Sequence, residues 1–221
     1  MIKSWLRKLL VVTLFFVLSW SVIALPAQAY NQVELDYLKQ TNKCNYCDLS
    51  NADLSHADLY GSSMIGTNLA HANLSHALLN EAELKTANLT GANLTDAIMI
   101  GATMSQAKLT EANLHSATLY NAVISNADLL GADLTQADLT SAILSNSNLA
   151  NAPAEEAIMV KATLAKTNLS GADLTHADIR NANLRNANLE QTNLTDADLD
   201  GATMPDGTVY RPYLGDLHAG L

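Results

Sequence analysis

The chain has 221 residues, of which only 5% are aromatic, and a formal net charge of -10 at pH 7. Acidic residues outnumber basic ones by 22 to 12, so we expect no binding to nucleic acid through charge. Both Trp and both Phe residues lie before residue 21, so the rest of the chain must build its core from aliphatic side chains.

Residues 1–29 have the pattern of a secretory signal peptide. Three cations, Lys3, Arg7 and Lys8, precede an apolar run, and an Ala-Gln-Ala cleavage motif follows it. The absence of an Arg pair favours the general secretory route, and Tyr30 in place of Cys after the cut argues against a lipid anchor. The alternative is an uncleaved membrane anchor, because the run is close to the length that spans a bilayer. Cleavage removes three cations and no anion, which leaves a charge of -13 on 192 residues.

Residues 47–204 repeat with a period of five. From Leu49 to Met204, a large aliphatic residue occupies every fifth position except that of Ala154. Two residues before each of these positions stands Ala, Ser, Thr or Cys, and Asp or Asn usually lies between, as in "ADLSHADL". Five helical residues advance by about 500°, which spreads the large side chains around a helix, and an odd period sends them to both faces of a strand. The pattern instead predicts short extended segments joined by corners, four of them closing one coil.

The motif A-(D/N)-L-x-x resembles that of the pentapeptide repeat family, over essentially all of the chain after the signal. The resemblance implies an all-β repeat solenoid, a right-handed quadrilateral β-helix, and 32 repeats at four per coil give about eight coils. We therefore divide the chain into a signal peptide (1–29), an N-terminal cap (30–46), the β-helix (47–204) and a C-terminal cap or tail (205–221). Residues 31–42 carry apolar residues among polar ones and predict a short capping helix.

Each position of the repeat has a predicted role. The large residue fills the axis, and the small one, such as Ala92 or Ala132, leaves room for the neighbouring coil. The Asn and Asp side chains point outward, where amides can stack in ladders from coil to coil. Glycines two residues after the large position are expected at corners with positive φ; they are Gly61, Gly66, Gly91, Gly101, Gly131, Gly171 and Gly201.

The segment 151–160, "NAPAEEAIMV", is the main irregularity. Pro153 lacks a backbone donor, and Ala154 replaces a large inward side chain. Because an inserted loop of one full period would not disturb a count by fives, either a bulge or a loop at residues 151–156 is compatible with the pattern.

Cys44 and Cys47 fall at the large and small inward positions of the first repeats. In an exported protein, such a pair predicts a structural disulfide that joins the cap to the first coil. A redox-active CxxC would need a helix N-terminus in a thioredoxin-like βαβ context, and the sequence has no such pattern. A zinc site would need further ligands, and only His56 is near in sequence.

His56 and His76 lie one predicted coil apart, so they should stack in one corner column, followed by Asp96. Neighbouring imidazoles could bind a transition metal weakly or respond to pH. The simpler interpretation, which we favour, is that histidine is one of several polar residues that a corner tolerates, and we expect neither a metal site nor a cofactor.

Outward-facing apolar residues gather on two of the four predicted sides. They suggest a docking surface, although β-branched residues also suit flat extended sides. The candidate surface comprises Tyr60, Leu78, Ile98, Ile100, Tyr120, Val123, Ile143, Ile158 and Val160. Ile65 lies on the adjoining side, and Leu130 is the main exception on the other two sides.

No catalytic constellation is evident, so we predict that the chain is not an enzyme. The first hypothesis is a structural or interaction protein that binds an unidentified protein partner through one side of an acidic rod. The start Cys-x-x-Cys-Asp-Leu-Ser is similar to that of exported cyanobacterial members of the family, which implies the thylakoid lumen or the periplasm. The alternative is a DNA mimic that inhibits or protects DNA gyrase, as some members of the family do; the signal peptide argues against it. A metal- or redox-active protein is a third, minor hypothesis.

Overall fold

The computed structural model describes residues 31–212. The predicted signal peptide and residues 213–221 of the predicted C-terminal cap therefore lie outside the described residues. Within residues 31–212 there is one α-helix, α1 (Gln32–Thr41), followed by a long series of isolated parallel β-bridges. These residues include no helix with the length and hydrophobicity of a transmembrane span.

Helix α1 packs against the N-terminal end of the bridged stack. Its first turn is capped by Asn31, whose side chain accepts from Glu34 N at 3.4 Å, and it ends at Asn42 in the left-handed conformation. Leu35 and Leu38 are buried against the first coil, with 2% and 1% of their surface exposed. Glu34 also accepts from the backbone N–H of Asp48 at 2.6 Å, so α1 is both packed on the stack and hydrogen-bonded to it.

The stack is built by bridges between residues 20 positions apart. One unbroken series of eight bridges runs from Lys43 to Thr203 in such steps, and it begins within the segment predicted as the N-terminal cap. From Leu49 to Leu184, the residue at each large position donates its N–H to the next coil, as Leu49 does to Asn68 O at 2.8 Å. The next coil donates back, as Asn68 does to Cys47 O at 2.8 Å. We number the four sides by their outward central residues, which recur once per coil: side 1 from Asp48, side 2 from Asp53, side 3 from Asp58 and side 4 from Ser63.

The corners are tight turns with the geometry of type II. Ala52 N donates to Leu49 O at 3.1 Å across the corner, and the residue before it, Asn51, has a φ of 60°. The seven predicted corner glycines all have positive φ, but so do 25 non-glycine residues at the equivalent position, including the β-branched Thr86. Because bridges hold both ends of every corner, the left-handed conformation is imposed whatever side chain is present.

The large and small inward positions form one continuous core. Their side chains are buried almost throughout, including Ala154 at 1% exposure, so the missing large side chain does not open the coil to solvent. Four inward hydroxyls bond to backbone of the preceding coil. Among them, Ser147 Oγ donates to Ile124 O at 2.6 Å and accepts from Ala127 N at 3.2 Å. This hydroxyl thereby replaces the turn hydrogen bond that most other corners make.

The outward Asp and Asn residues have two roles at once. Their Oδ1 atoms accept from the N–H two residues later, as Asp48 does from Ser50 at 3.2 Å, which stabilises the corner. The amides also form the predicted ladders: on side 1, Asn68 donates to Asp48 at 2.8 Å and Asn88 donates to Asn68 at 3.0 Å. The bond within the corner was not predicted from the sequence.

The segment 151–160 continues the stack without a loop or bulge. Pro153 bridges to Asp173 in the following coil, and its carbonyl accepts from Leu134 N at 2.7 Å. The bridge between Asp133 and Pro153 is missing, because proline has no N–H to donate to the preceding coil.

The described C-terminal end is less completely packed. Residues after Met204 fold back, and Val209 makes an antiparallel bridge to Thr203. Leu189 and Leu194, at large inward positions of the last coil, are only partly buried.

Candidate interaction surface

Exposed apolar side chains follow a diagonal line across sides 3 and 4. Leu78 and Ile98 are bridged neighbours on side 3, and Val123 and Ile143 are bridged neighbours on side 4. Ile100 and Tyr120 lie on successive coils at the corner between these sides. We call these six residues, Leu78, Ile98, Ile100, Tyr120, Val123 and Ile143, the apolar stripe.

The stripe is accessible although it stands on a packed framework. Leu78, Ile100, Tyr120 and Ile143 are 38–41% exposed, whereas Ile98 and Val123 are half-buried. The large inward residues beneath them, such as Met99 and Ile124, are 0% and 1% exposed. A rigid core therefore holds the stripe in place.

The remaining members of the predicted surface lie off the stripe. Tyr60 is 53% exposed and stands on the same corner as Ile100, two coils earlier. Ile158 and Val160 are separated from the stripe on side 3 by Asp138, which bridges Thr118 on one coil and Ile158 on the other. Leu130 is 39% exposed on the opposite part of the rod, between sides 1 and 2.

Apolar residues at the central outward positions lack an acceptor that the repeat usually supplies. On side 3, Asp138 accepts from Thr140 N at 2.9 Å, as Asp48 on side 1 does from Ser50 N at 3.2 Å. The side chains of Leu78 and Ile98 contain no acceptor atom. On side 4, where Val123 lies, only Asn183 makes such a bond. Since a hydrogen bond of this kind contributes about 1 kcal/mol, stability alone favours Asp or Asn at position 78.

One corner of the stripe replaces this bond in another way. The N–H of Ile100 donates to Asn80 Oδ1 on the preceding coil at 3.0 Å. The backbone N–H at the corner after Ile98 is therefore hydrogen-bonded to a side chain of the preceding coil, so this corner does not require a polar residue at position 98.

Carboxylates border the stripe, a feature that the sequence pattern did not single out. Glu81 and Glu83 are exposed on the coil that carries Leu78, and Asp138 stands beyond Thr118 on side 3. The Glu81 carboxylate, as an acceptor for the Tyr60 hydroxyl and as a negative charge, raises the pKa of Tyr60 above its ordinary value. The exposed cation Lys161 lies one coil beyond Ile143, at the corner between sides 3 and 4, so charges of both signs flank the stripe.

The cysteine pair lies between α1 and the first coil. The Sγ atoms of Cys44 and Cys47 are within bonding distance, and their Cα atoms are 5.4 Å apart, as a disulfide requires. Cys44 is fully buried, and its Sγ lies 3.4 Å from Glu34 O in α1. The pair is therefore placed where a disulfide can form, between α1 and the first coil.

The histidine column has the predicted spacing. The rings of His56 and His76 are stacked with centroids 4.8 Å apart, and His76 Nδ1 lies 3.7 Å from Asp96 Oδ2. His176 and Asp196 repeat the second contact at 3.9 Å. No group of three or more His, Cys, Asp or Glu side chains within residues 31–212 is arranged to hold a metal ion.

Comparison with known proteins identifies the repeat. The family model described as pentapeptide repeats matches eight copies, over residues 45–85, 87–126, 117–152, 150–186 and 172–206. No curated protein resembles the chain closely enough in sequence to count as a relative.

Several solved structures are similar. A trypsin-treated variant of QnrB1, a plasmid-mediated fluoroquinolone resistance protein, is 23% identical with a TM-score of 0.57, and the match covers 68% of this chain and 80% of that one. HetL, a pentapeptide repeat protein involved in heterocyst differentiation regulation in the cyanobacterium Nostoc, is 30% identical over 76% of this chain and 91% of its own, with a TM-score of 0.28. A pentapeptide repeat protein of the Arabidopsis thaliana thylakoid lumen is 31% identical over 55% of this chain and 70% of its own, with a TM-score of 0.29. The family match and the QnrB1 likeness confirm the predicted fold class, the right-handed quadrilateral β-helix.

Proposed function

Because the chain belongs to the pentapeptide repeat family, whose members are generally structural or interaction proteins, we propose that it is a non-enzymatic interaction rod. It binds a protein partner through the apolar stripe, in an exported compartment such as the thylakoid lumen or the periplasm. The predicted signal peptide supports export, and the predicted disulfide of Cys44 and Cys47 suits an oxidising compartment.

The observation that carries this proposal is the replacement of stabilising polar residues by exposed apolar ones. On side 3, four of the eight central outward positions carry an Asp that accepts a hydrogen bond from its own corner and is compatible with water. Leu78 gives up that acceptor, and the stripe exposes apolar surface at neighbouring positions on successive coils. Contiguous exposed apolar residues of this kind mark binding surfaces on soluble proteins. A preference of β-branched residues for flat sides does not account for Leu78, which is not β-branched.

Affinity capture with matched variants tests the proposal. The tagged protein, expressed with its own leader, is cross-linked in its compartment and recovered together with bound proteins. The double variant Ile98→Asp with Ile100→Asp should keep its thermal unfolding transition and lose the partner. Leu130→Asp is the control, because Leu130 is as exposed as Ile100 but lies off the stripe. Equal recovery of the same partner by the double variant and the wild type would refute the proposal.

A DNA mimic acting on gyrase is the second candidate. The acidic charge of the chain and its structural likeness to QnrB1, a fluoroquinolone resistance protein, support it. It requires full-length protein in the compartment that holds the chromosome, so cell fractionation separates the two candidates. Cytosolic protein that changes gyrase supercoiling activity would favour the mimic, whereas exported protein that begins at Tyr30 would favour the interaction rod.

A further inference from the structure

Side 4 has an uncharged centre that extends over three successive coils. The bridged residues Thr103, Val123 and Ile143 occupy its central outward positions there, and in these three coils neither side 4 nor its two corners carry a charged residue. The corner positions 105, 125 and 145 beside them are all serine. Small uncharged side chains form a surface that a second such surface can approach to about 10 Å, the distance between packed sheets.

Charges of opposite sign stand at equal distances on both sides of this centre. In the corner column between sides 3 and 4, Glu81 lies two coils before Asn121, and Lys161 lies two coils after it. Both charged residues are exposed. Glu83 stands beside Glu81 on side 4, and Lys166 stands at the far corner of the coil that carries Lys161. The two ends of the centre are therefore complementary to each other in charge.

We propose that side 4 binds side 4 of a second copy of the chain, antiparallel, with a two-fold axis at the coil of Asn121 and Val123. This inference rests on the proposed function and names its protein partner. The axis exchanges coils that are equally far from Asn121, so it places Glu81 of each copy opposite Lys161 of the other. A surface that is complementary to itself in this way fits a second copy without any change of sequence.

Four members of the apolar stripe lie at this interface. They are Ile100, Tyr120, Val123 and Ile143, of which Ile100, Tyr120 and Ile143 are 40–41% exposed in the single chain. Tyr120 lies on the coil of the two-fold axis, so the two copies of this ring approach each other at the centre. The second copy thus covers the apolar surface that the stripe exposes on side 4 and on its corner with side 3.

The distribution of charge over the whole rod also favours side 4. Between residues 31 and 212, side 4 and its two corners carry only four of the 21 carboxylates but six of the nine cations. The six cations are Lys43, Lys85, Lys161, Lys166, Arg180 and Arg185. Two copies of this acidic chain therefore repel each other less across side 4 than across the other three sides.

The outer coils are compatible with the antiparallel arrangement. Lys43, four coils before Val123, lies opposite the coil that carries Asp200 and ends near Asp206. The coil of Arg180, three coils after Val123, lies opposite a coil whose residues on this side and its corners are uncharged. The ends therefore add opposite charges and introduce no like-charge contact.

Lys85 is the exception, and it provides a sharp test. It stands on the coil of Glu83, and the two-fold axis places it near Lys166 of the second copy. Lys85→Glu should therefore tighten self-association by about threefold or more, although it makes each copy more acidic. Weaker association of this variant would contradict the antiparallel arrangement.

Charge reversal tests the central pair. Sedimentation equilibrium of the protein purified after export should show a dimer that high salt weakens. Glu81→Lys and Lys161→Glu should each weaken self-association by about tenfold or more, because each places like charges opposite each other twice. Both changes in one chain should restore the dimer to within about threefold of the wild type. An equimolar mixture of the two single variants should form a heterodimer, in which both pairs again have opposite signs.

Matched controls separate this contact from general charge effects. Glu and Lys both occupy the left-handed corner position elsewhere in the rod, so the reversals should leave the thermal unfolding transition unchanged. Glu111→Lys, at the equivalent corner between sides 1 and 2, and Lys108→Glu, on side 1, alter the net charge by the same amounts. Both should leave self-association unchanged.

Three outcomes would overturn the inference: a wild-type protein that stays monomeric at every concentration, a dimer that neither reversal weakens, or single variants that form no heterodimer. If the wild type is monomeric while the captured partner is still lost in the Ile98→Asp and Ile100→Asp variant, this inference fails and the proposed function stands.

Discussion

Asn168 donates its side-chain amide to Asn148 Oδ1 at 3.0 Å on the preceding coil, and its own Oδ1 accepts from Asn188 at 3.1 Å. Each Asn in such a ladder is thus a donor toward the N-terminus and an acceptor toward the C-terminus. Each of the two ladders on side 1 begins with an Asp, whose carboxylate accepts a hydrogen bond and donates none. These residues are Asp48 in one ladder and Asp128 in the other.

This polarity predicts opposite results for two conservative changes. Asn168→Asp removes the donor and places a carboxylate against the Asn148 oxygen, so it should lower the free energy of unfolding by about 1 kcal/mol or more. Asp128→Asn keeps the acceptor for Asn148 and should change stability by less than about 0.5 kcal/mol. Urea unfolding of both variants measures the difference, and equal losses would contradict the directional ladder.

Acid should destabilise the protein through outward carboxylates. Hydrogen bonds from the Ser55 hydroxyl and backbone N–H hold the pKa of Asp53 below its ordinary value, and Ser50 and Thr175 do the same for Asp48 and Asp173. Because each folded pKa lies below the unfolded one, the stabilisation is complete above the unfolded pKa and is lost as the pH falls through the folded pKa. The urea midpoint should therefore be flat from pH 7 to 5 and fall below about pH 4. Ser55→Ala should reduce this fall, and an unchanged acid dependence in that variant would exclude Asp53 as a contributor.

A larger side chain at the small inward position should destabilise the fold. Ala132 is fully buried between coils, so Ala132→Leu should overpack the core and cost about 1–3 kcal/mol or more. The same change at Ala165, a half-buried corner residue, provides a control that should be nearly neutral. Thermal unfolding of the two variants checks the prediction, which fails if Ala132→Leu is tolerated as well as Ala165→Leu.

Corner glycines differ in what they face. At Gly61 (φ 60°), an added Cβ would meet nothing within 4 Å, whereas at Gly66 (φ 65°) it would lie 2.6 Å from the ring of Tyr46 on the preceding coil. Both Gly→Ala changes should cost about 1–2 kcal/mol for the left-handed backbone, and Gly66→Ala should cost more because the ring must move. Removing the ring with Tyr46→Ala should make the two costs equal in a double-mutant cycle.

The cysteine pair should be oxidised in the exported protein. Alkylation without a reductant should label neither Cys44 nor Cys47, and labelling of both after reduction confirms that they were paired. The loop between them is short, so reduction should lower the free energy of unfolding by only about 2 kcal/mol. Labelling of either residue before reduction would contradict the structural disulfide.

The periodic features of the fold could be predicted because they depend on residue size alone. A large residue such as Leu49 and a small one such as Ala52 must point inward wherever they recur, so counting by five and by 20 places the core and the columns. The corner bond from Ser50 N to Asp48 was missed because it depends on where an outward side chain turns, which residue size does not determine.

The diagonal course of the stripe was missed for a related reason. Ile98 and Val123 lie on different sides of the rod, so a count along one column does not join them. The corner residues Ile100 and Tyr120 connect the two sides. That they lie next to each other on successive coils becomes evident once the coils are stacked.

Pro153 has a consequence for the cooperativity of the whole rod. In a solenoid each coil touches only its neighbours, so the coupling between the two halves passes through every single junction in turn. The junction at residues 133–153 lacks a bridge that the equivalent positions of other coils have, although Leu134 still donates to Pro153 O. This junction therefore has one backbone hydrogen bond fewer than the junctions on either side of it, and we expect an internal separation of coils to begin there at a lower free energy than at those neighbouring junctions.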